Sequence, residues 1–127
     1  MNSGQTLSKC ERISAQKDIG YLFESSSSCA AHPLLVVYKE RKEASGVPCS
    51  ILVSVSKKRI KKAVNRNRIK RLIREAYRLH KNEWLDFLRS GNKEMLVAFI
   101  YIDTKLCPYD KLATSLTKVL NELKTKL

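Results

Sequence analysis

The side chains of this sequence best equipped for chemistry are cationic and crowd into one window. Residues 57 to 81 hold Lys57, Lys58, Arg59, Lys61, Lys62, Arg66, Arg68, Lys70, Arg71, Arg74, Arg78 and Lys81, with Glu75 as the single acid. The window carries +11 of a formal net charge of +13. Guanidinium groups present a planar fork that takes phosphate oxygens in pairs, whereas ammonium groups act as mobile point charges. A merely solvated helix face would interleave Glu with Lys at i, i+4 spacing, and only Glu75 interrupts these bases. So local a field is the footprint of a nucleic-acid-binding element. Catalysis by the protein itself has no support, because clustered carboxylates, paired histidines and a Cys/His nucleophile arrangement are all missing from the sequence. No catalytic residue and no metal ligand is assigned.

The remaining reactive residues are scattered. Cys10, Cys29, Cys49 and Cys107 are too widely separated for a zinc pattern and read as free thiols. His32 and His80 stand alone and read as structural or solvated. No segment approaches the ~20 apolar residues that cross a bilayer, and no signal peptide precedes the cysteines. A soluble, cytoplasmic protein without membrane contact is expected. At 127 residues and 43% hydrophobic content, one folded domain is expected over residues 1–127, with residues 1–8 as a disordered tail.

The elements that must position the cations follow from hydrophobic period. Ser14 suits the N-cap of a short helix to about Glu24, with Ile19, Leu22 and Phe23 as its apolar stripe. Ser25–Ser28 and then Cys29–Pro33 read as a polar, turn-rich connection. Leu34–Lys39 and Ser50–Ser56 read as antiparallel strands joined by a charged hairpin loop over Glu40–Pro48. In the second strand Ser54 and Ser56 share one face.

A basic helix is expected over Asn65–Lys81, preceded by a lysine-rich loop. At 100° per residue Ile69, Leu72, Ile73, Ala76 and His80 face the core, and Asn67, Arg71, Arg74, Arg78 and Lys81 face outward. Trp84, Leu85 and Leu88 extend the apolar pattern until Ser90, Gly91 and Asn92 break it. Met95–Ile102 reads as a buried strand, and Leu112, Leu116, Val119, Leu120 and Leu123 as the stripe of a final helix. The sum is an α+β fold, an αβββ-type two-layer sandwich in the order α-β-β-α-β-α, with helices packed on one sheet.

At Ser56-Lys57-Lys58 and again over Ala63-Val64-Asn65-Arg66-Asn67-Arg68-Ile69-Lys70-Arg71-Leu72-Ile73-Arg74-Glu75, the sequence closely resembles the bacterial ribonuclease P protein component. The resemblance extends more weakly from Leu7 to Leu123. It implies a left-handed βαβ crossover, against the general right-handed rule. It also implies a ribonucleoprotein that removes the 5′ leader of precursor tRNA, with the reaction carried by a catalytic RNA subunit. Mg²⁺ is then expected on that RNA and the substrate rather than on a protein site, and no obligate protein partner is expected.

Carried over by position, Lys57, Lys58, Arg66, Asn67, Arg68, Lys70, Arg71 and Arg74 contact the RNA subunit. Ile19, Phe23, Tyr38 and Ser54 match a cleft that receives the single-stranded leader. The sequence departs from the family pattern in three ways. Ile19 replaces an aromatic residue; Arg59-Ile60-Lys61-Lys62 is one residue longer than the usual connection and lacks its glycine; Ser14 and Ala15 stand where basic residues are frequent.

Two alternatives fit the same charge pattern. A ribosomal or RNA-chaperone protein would use the basic surface without supporting a reaction. A DNA-reading helix-turn-helix protein is disfavoured, because a strand and a lysine-rich loop, not a short helix and tight turn, precede the basic helix.

Overall fold

A computed structural model describes residues 12–13, 16–24, 26–41 and 46–127. The expected N-cap Ser14, the neighbouring Ala15, Ser25, Cys10 and the expected tail over residues 1–8 lie outside these. The elements run α1 (Gln16–Phe23), β1 (Ser27–Ala31), β2 (Leu34–Glu40), β3 (Cys49–Val55), α2 (Ala63–Ser90), β4 (Met95–Tyr101) and α3 (Tyr109–Lys126).

The most continuous apolar run decides the sheet. Met95 to Phe99 are all buried, so β4 needs cover on both faces and on both edges. It takes an inner position in the order β1-β2-β4-β3, antiparallel to β2 and parallel to β3. The two expected neighbours, β2 and β3, are therefore not a hairpin. They run in opposite directions, as expected, but β4 lies between them, and β3, α2 and β4 form a βαβ unit.

One strand escapes the expected order. Ser27–Ala31, read as part of a loop, pairs with β2 from Ser27↔Tyr38 to Ala31↔Leu34. Small and polar residues are poor strand formers, but this edge position asks only that Cys29 fill the core while Ser27, Ser28 and Ala30 remain exposed.

Helices lie on both faces of the sheet. Val36, Val53, Val97 and Phe99 meet α2 and α3 in the main core, where the Tyr77 and Phe99 rings tilt at 54° with centroids 5.8 Å apart. Val37, Leu96 and Ala98 point the other way and bury Leu22 of α1 and Ile13. Among the described residues the cover on this second face comes from Ile13 and from α1, which spans 8 residues. Ile19, Leu52 and Ile100 stay partly exposed beside it.

The basic helix is longer than expected, 28 residues against an expected Asn65–Lys81, or about 42 Å at 1.5 Å per residue. Its apolar pattern continues without a break through Trp84, Leu85 and Leu88. Gly91 then closes it with an N–H donated to the Phe87 carbonyl at 3.1 Å, and Asn92 turns the chain at φ 54°. Two side chains change sides as a result. Lys81, expected outside, is 2% exposed, and His80, expected inside, is exposed. Five of the eight buried residues, Ile69, Ile73, Tyr77, Lys81 and Leu85, lie on an i, i+4 row, and such a row advances ~40° around the axis at each step. A stripe drawn from the first two turns therefore misplaces residues three turns later.

Candidate nucleic-acid interface

The turn over residues 57 to 59 is built by short-range bonds. The backbone N–H groups of Arg59 and Ile60 donate to the Ser56 carbonyl at 3.2 and 3.0 Å, and that of Lys58 to Ser56 Oγ at 3.0 Å. Ile60 anchors the turn in the main core. The turn is thus closed without a glycine. Lys57, Lys58, Lys61 and Lys62 are left exposed around it. Arg59 Nη1 donates to the Ile102 carbonyl at 2.7 Å, tying the turn to the end of β4.

From this turn α2 begins at Ala63, two residues before the expected start. Its N-cap Lys62 makes no side-chain cap bond and its first turn holds no acid, so the positive end of a long helix opens among lysines. Arg66 does not project freely. Its Nη1 donates to the carbonyls of Ile60 at 3.0 Å and Lys61 at 2.8 Å, so this arginine braces the turn.

Beyond Arg66 the expected contact residues are brought together. Asn67, Arg68 and Arg71 are exposed, and Lys70 and Arg74 are half-buried on the flank of the helix. Arg68, Arg71 and Arg74 form an i, i+3 row, which retreats ~60° around the axis per step and so crosses the helix obliquely. One end of the row lies at a depression lined by Leu106, Cys107 and Pro108. The other end meets Arg12, whose charge, after burial, holds the Arg74 guanidinium below its ordinary pKa. Among the described residues no acid pairs with Arg68, Lys70, Arg71 or Arg74. Arg78 differs. Glu75 binds it from one turn away, and their hydrogen bond lowers the carboxyl pKa and raises that of the guanidinium. The free band therefore ends at Arg74, with Arg78 neutralised from within and Lys81 buried.

Of the four expected cleft residues, Ile19 and Ser54 border the second core and Phe23 stands on the helix that covers it. Phe23, at 47% exposed, stands at the end of α1. Ile19 lies half-buried beside the second core, and Ser54 pairs with Ile100, which borders the same core. Tyr38 does not join them. It is buried in the main core beneath α2 and α3, because its neighbour Val37 takes the α1 side and successive strand residues alternate.

Next to that alternation stands Lys39, which no sequence pattern singles out. Its Nζ lies 3.9 Å from the Tyr21 ring centroid and donates to the carbonyls of Tyr21 at 3.1 Å and Glu24 at 2.5 Å. Tyr21 in turn donates its hydroxyl to the Glu40 carbonyl at 3.0 Å. These bonds hold the carbonyl end of α1 against β2, with a cation placed at the negative end of the helix. Arg12 likewise escapes sequence reasoning, for no periodic pattern surrounds it.

Comparison with known proteins agrees with this arrangement. The family model described as Ribonuclease P matches residues 7–124. A ribonuclease P protein component of Porphyromonas gingivalis is 38% identical over 114 residues, covering 90% of this chain and 83% of the relative. The solved ribonuclease P protein of Staphylococcus aureus superposes with a TM-score of 0.73 at 28% identity, covering 91% of this chain and 97% of that one. The protein from Thermotoga maritima shares the fold, with a TM-score of 0.66 at 19% identity over 88% of this chain and 96% of that one. With its basic helix, four-stranded sheet and family match running nearly end to end, the chain belongs to the ribonuclease P protein component family.

Proposed function

We propose that this chain is the protein subunit of ribonuclease P, binding the catalytic RNA subunit and the 5′ leader of precursor tRNA to assist leader removal. The observation that carries the reading is the oblique band from the Lys57–Lys62 turn across Arg68, Arg71 and Arg74, whose charge no described acid answers. In a two-RNA complex each added phosphate repels those already present, and fixed cations relieve that repulsion while releasing condensed counterions. The protein supplies no nucleophile. Mg²⁺ held by the RNA subunit and the substrate supplies the hydrolytic chemistry, and this chain binds and orients the RNA around it.

The leader, being unpaired and variable in sequence, suits the sheet face that carries α1. Phe23 offers a ring on which any base can stack, worth about 1–3 kcal/mol per base. Ile19, Leu52 and Ile100 give apolar contact without base selection. Phe23→Ala is expected to weaken holoenzyme binding of leader-bearing precursor about tenfold and to leave tRNA with a mature 5′ end unaffected. Equal losses on both substrates would remove Phe23 from the leader path.

The central test is reconstitution in low Mg²⁺. Protein alone should leave precursor tRNA intact, RNA subunit alone should cleave it poorly, and the two together should cleave it at the mature 5′ end. Cleavage by the protein alone would overturn the division of labour.

A further inference from the structure

The basic window does not contain every cation on the band. Arg12 lies 45 residues before Lys57 in the sequence, yet it forms a parallel bridge with Ile51 on the outer edge of β3, and the Ile13 N–H donates to the Ile51 carbonyl at 2.8 Å. Bridged residues in neighbouring strands point to the same face. Ile51 belongs to the main core under α2, and Ile13, one residue on, belongs to the second core under α1. Arg12 is thereby directed along the β3 edge towards α2, where burial first and the Arg12 charge second hold the Arg74 guanidinium below its ordinary pKa. Arg12 is exposed, and among the described residues neither arginine has an acid partner.

We propose that Arg12 and Arg74 form a two-arginine clamp for one backbone phosphate of the RNA subunit, carried jointly by the N-terminal segment and α2. The inference rests on the RNA-binding role given to the α2 band. Two like charges held together by a backbone bridge and a helix raise the energy of the free protein, and an anion seated between them removes that cost. Two planar forks meeting from different elements can share the oxygens of one phosphate, which neither could enclose alone. Arg12 and Ile13 also point to opposite faces of the sheet, so the clamp stands where the α2 band meets the face under α1.

The test is binding of the full-length protein to its RNA subunit, without tRNA, across a salt series. Arg12→Ala is expected to lower affinity about tenfold and to reduce the log–log salt slope by about one unit. Its melting temperature should be unchanged or raised, because removing a like charge relieves repulsion. Arg74→Ala should behave alike in affinity, and the double variant should lose about ten- to twentyfold, since both arginines serve a single phosphate. A multiplicative loss of about a hundredfold would make the two arginines independent and sink the clamp. Unchanged affinity in Arg12→Ala, or a loss seen only with leader-bearing tRNA, would do the same. Arg71→Ala separates the two levels of argument: if it weakens binding while Arg12→Ala does not, the clamp alone fails. If neither variant weakens binding, the α2 interface fails with it.

Discussion

Replacing Arg68, Arg71 and Arg74 together by alanine is expected to weaken binding of the RNA subunit about a thousandfold at low salt, roughly tenfold for each phosphate left without its arginine. The three lie on one oblique row and make no described ion pair, so little of the loss should be recovered by rearrangement within the protein. Separate phosphates contribute independently, and their effects multiply. The salt slope should fall by about three units, which distinguishes absent phosphate neutralisation from damaged folding. Thermal unfolding should support the distinction, because three mutually repelling charges leave the surface and the buried row beneath them is untouched. Cleavage by the reconstituted complex should then require high Mg²⁺, the divalent ion replacing fixed cations as a screen. A loss below about tenfold with an unchanged slope would place the RNA elsewhere on the protein.

How far this surface could be read from the sequence depends on how local each signal is. The charge window needs no fold to be recognised, and Ile69, Ile73 and Ala76 mark its inner side within two turns. Lys81 and His80 exchange sides because the helix buries an i, i+4 row that winds around its axis, an outcome set by the neighbours α2 meets along its length. The strand over Ser27–Ala31 has no propensity to announce it and exists because β2 offers an edge. Tyr38 illustrates the sharpness of strand register. Placement one residue away would bring it to the α1 face, yet the observed register buries it on the other. Arg12 is the opposite case, an ordinary residue in sequence whose importance comes wholly from the bridge to Ile51.

Arg66 shows why charge counting alone misjudges the band. By composition it equals Arg71, and replacing either by alanine removes one positive charge. Its guanidinium, however, is committed to the Ile60 and Lys61 carbonyls, and through them to the turn that presents Lys57, Lys58, Lys61 and Lys62. Charge-assisted hydrogen bonds of this kind contribute about 1.5–3 kcal/mol, and a turn deprived of them must be reordered when RNA binds, at a cost in conformational entropy. Arg66→Ala should therefore weaken RNA-subunit binding about a hundredfold, against about tenfold for Arg71→Ala, and should also lower the melting temperature. The salt slopes of the two variants should differ far less than their affinities, because a disordered lysine remains charged even when its position is lost. Arg66→Lys should recover only part of the affinity and of the melting temperature, since one ammonium replaces a planar fork. Equal affinities and equal melting temperatures for Arg66→Ala and Arg71→Ala would mean that the turn holds its shape unaided, and that Arg66 acts on RNA directly.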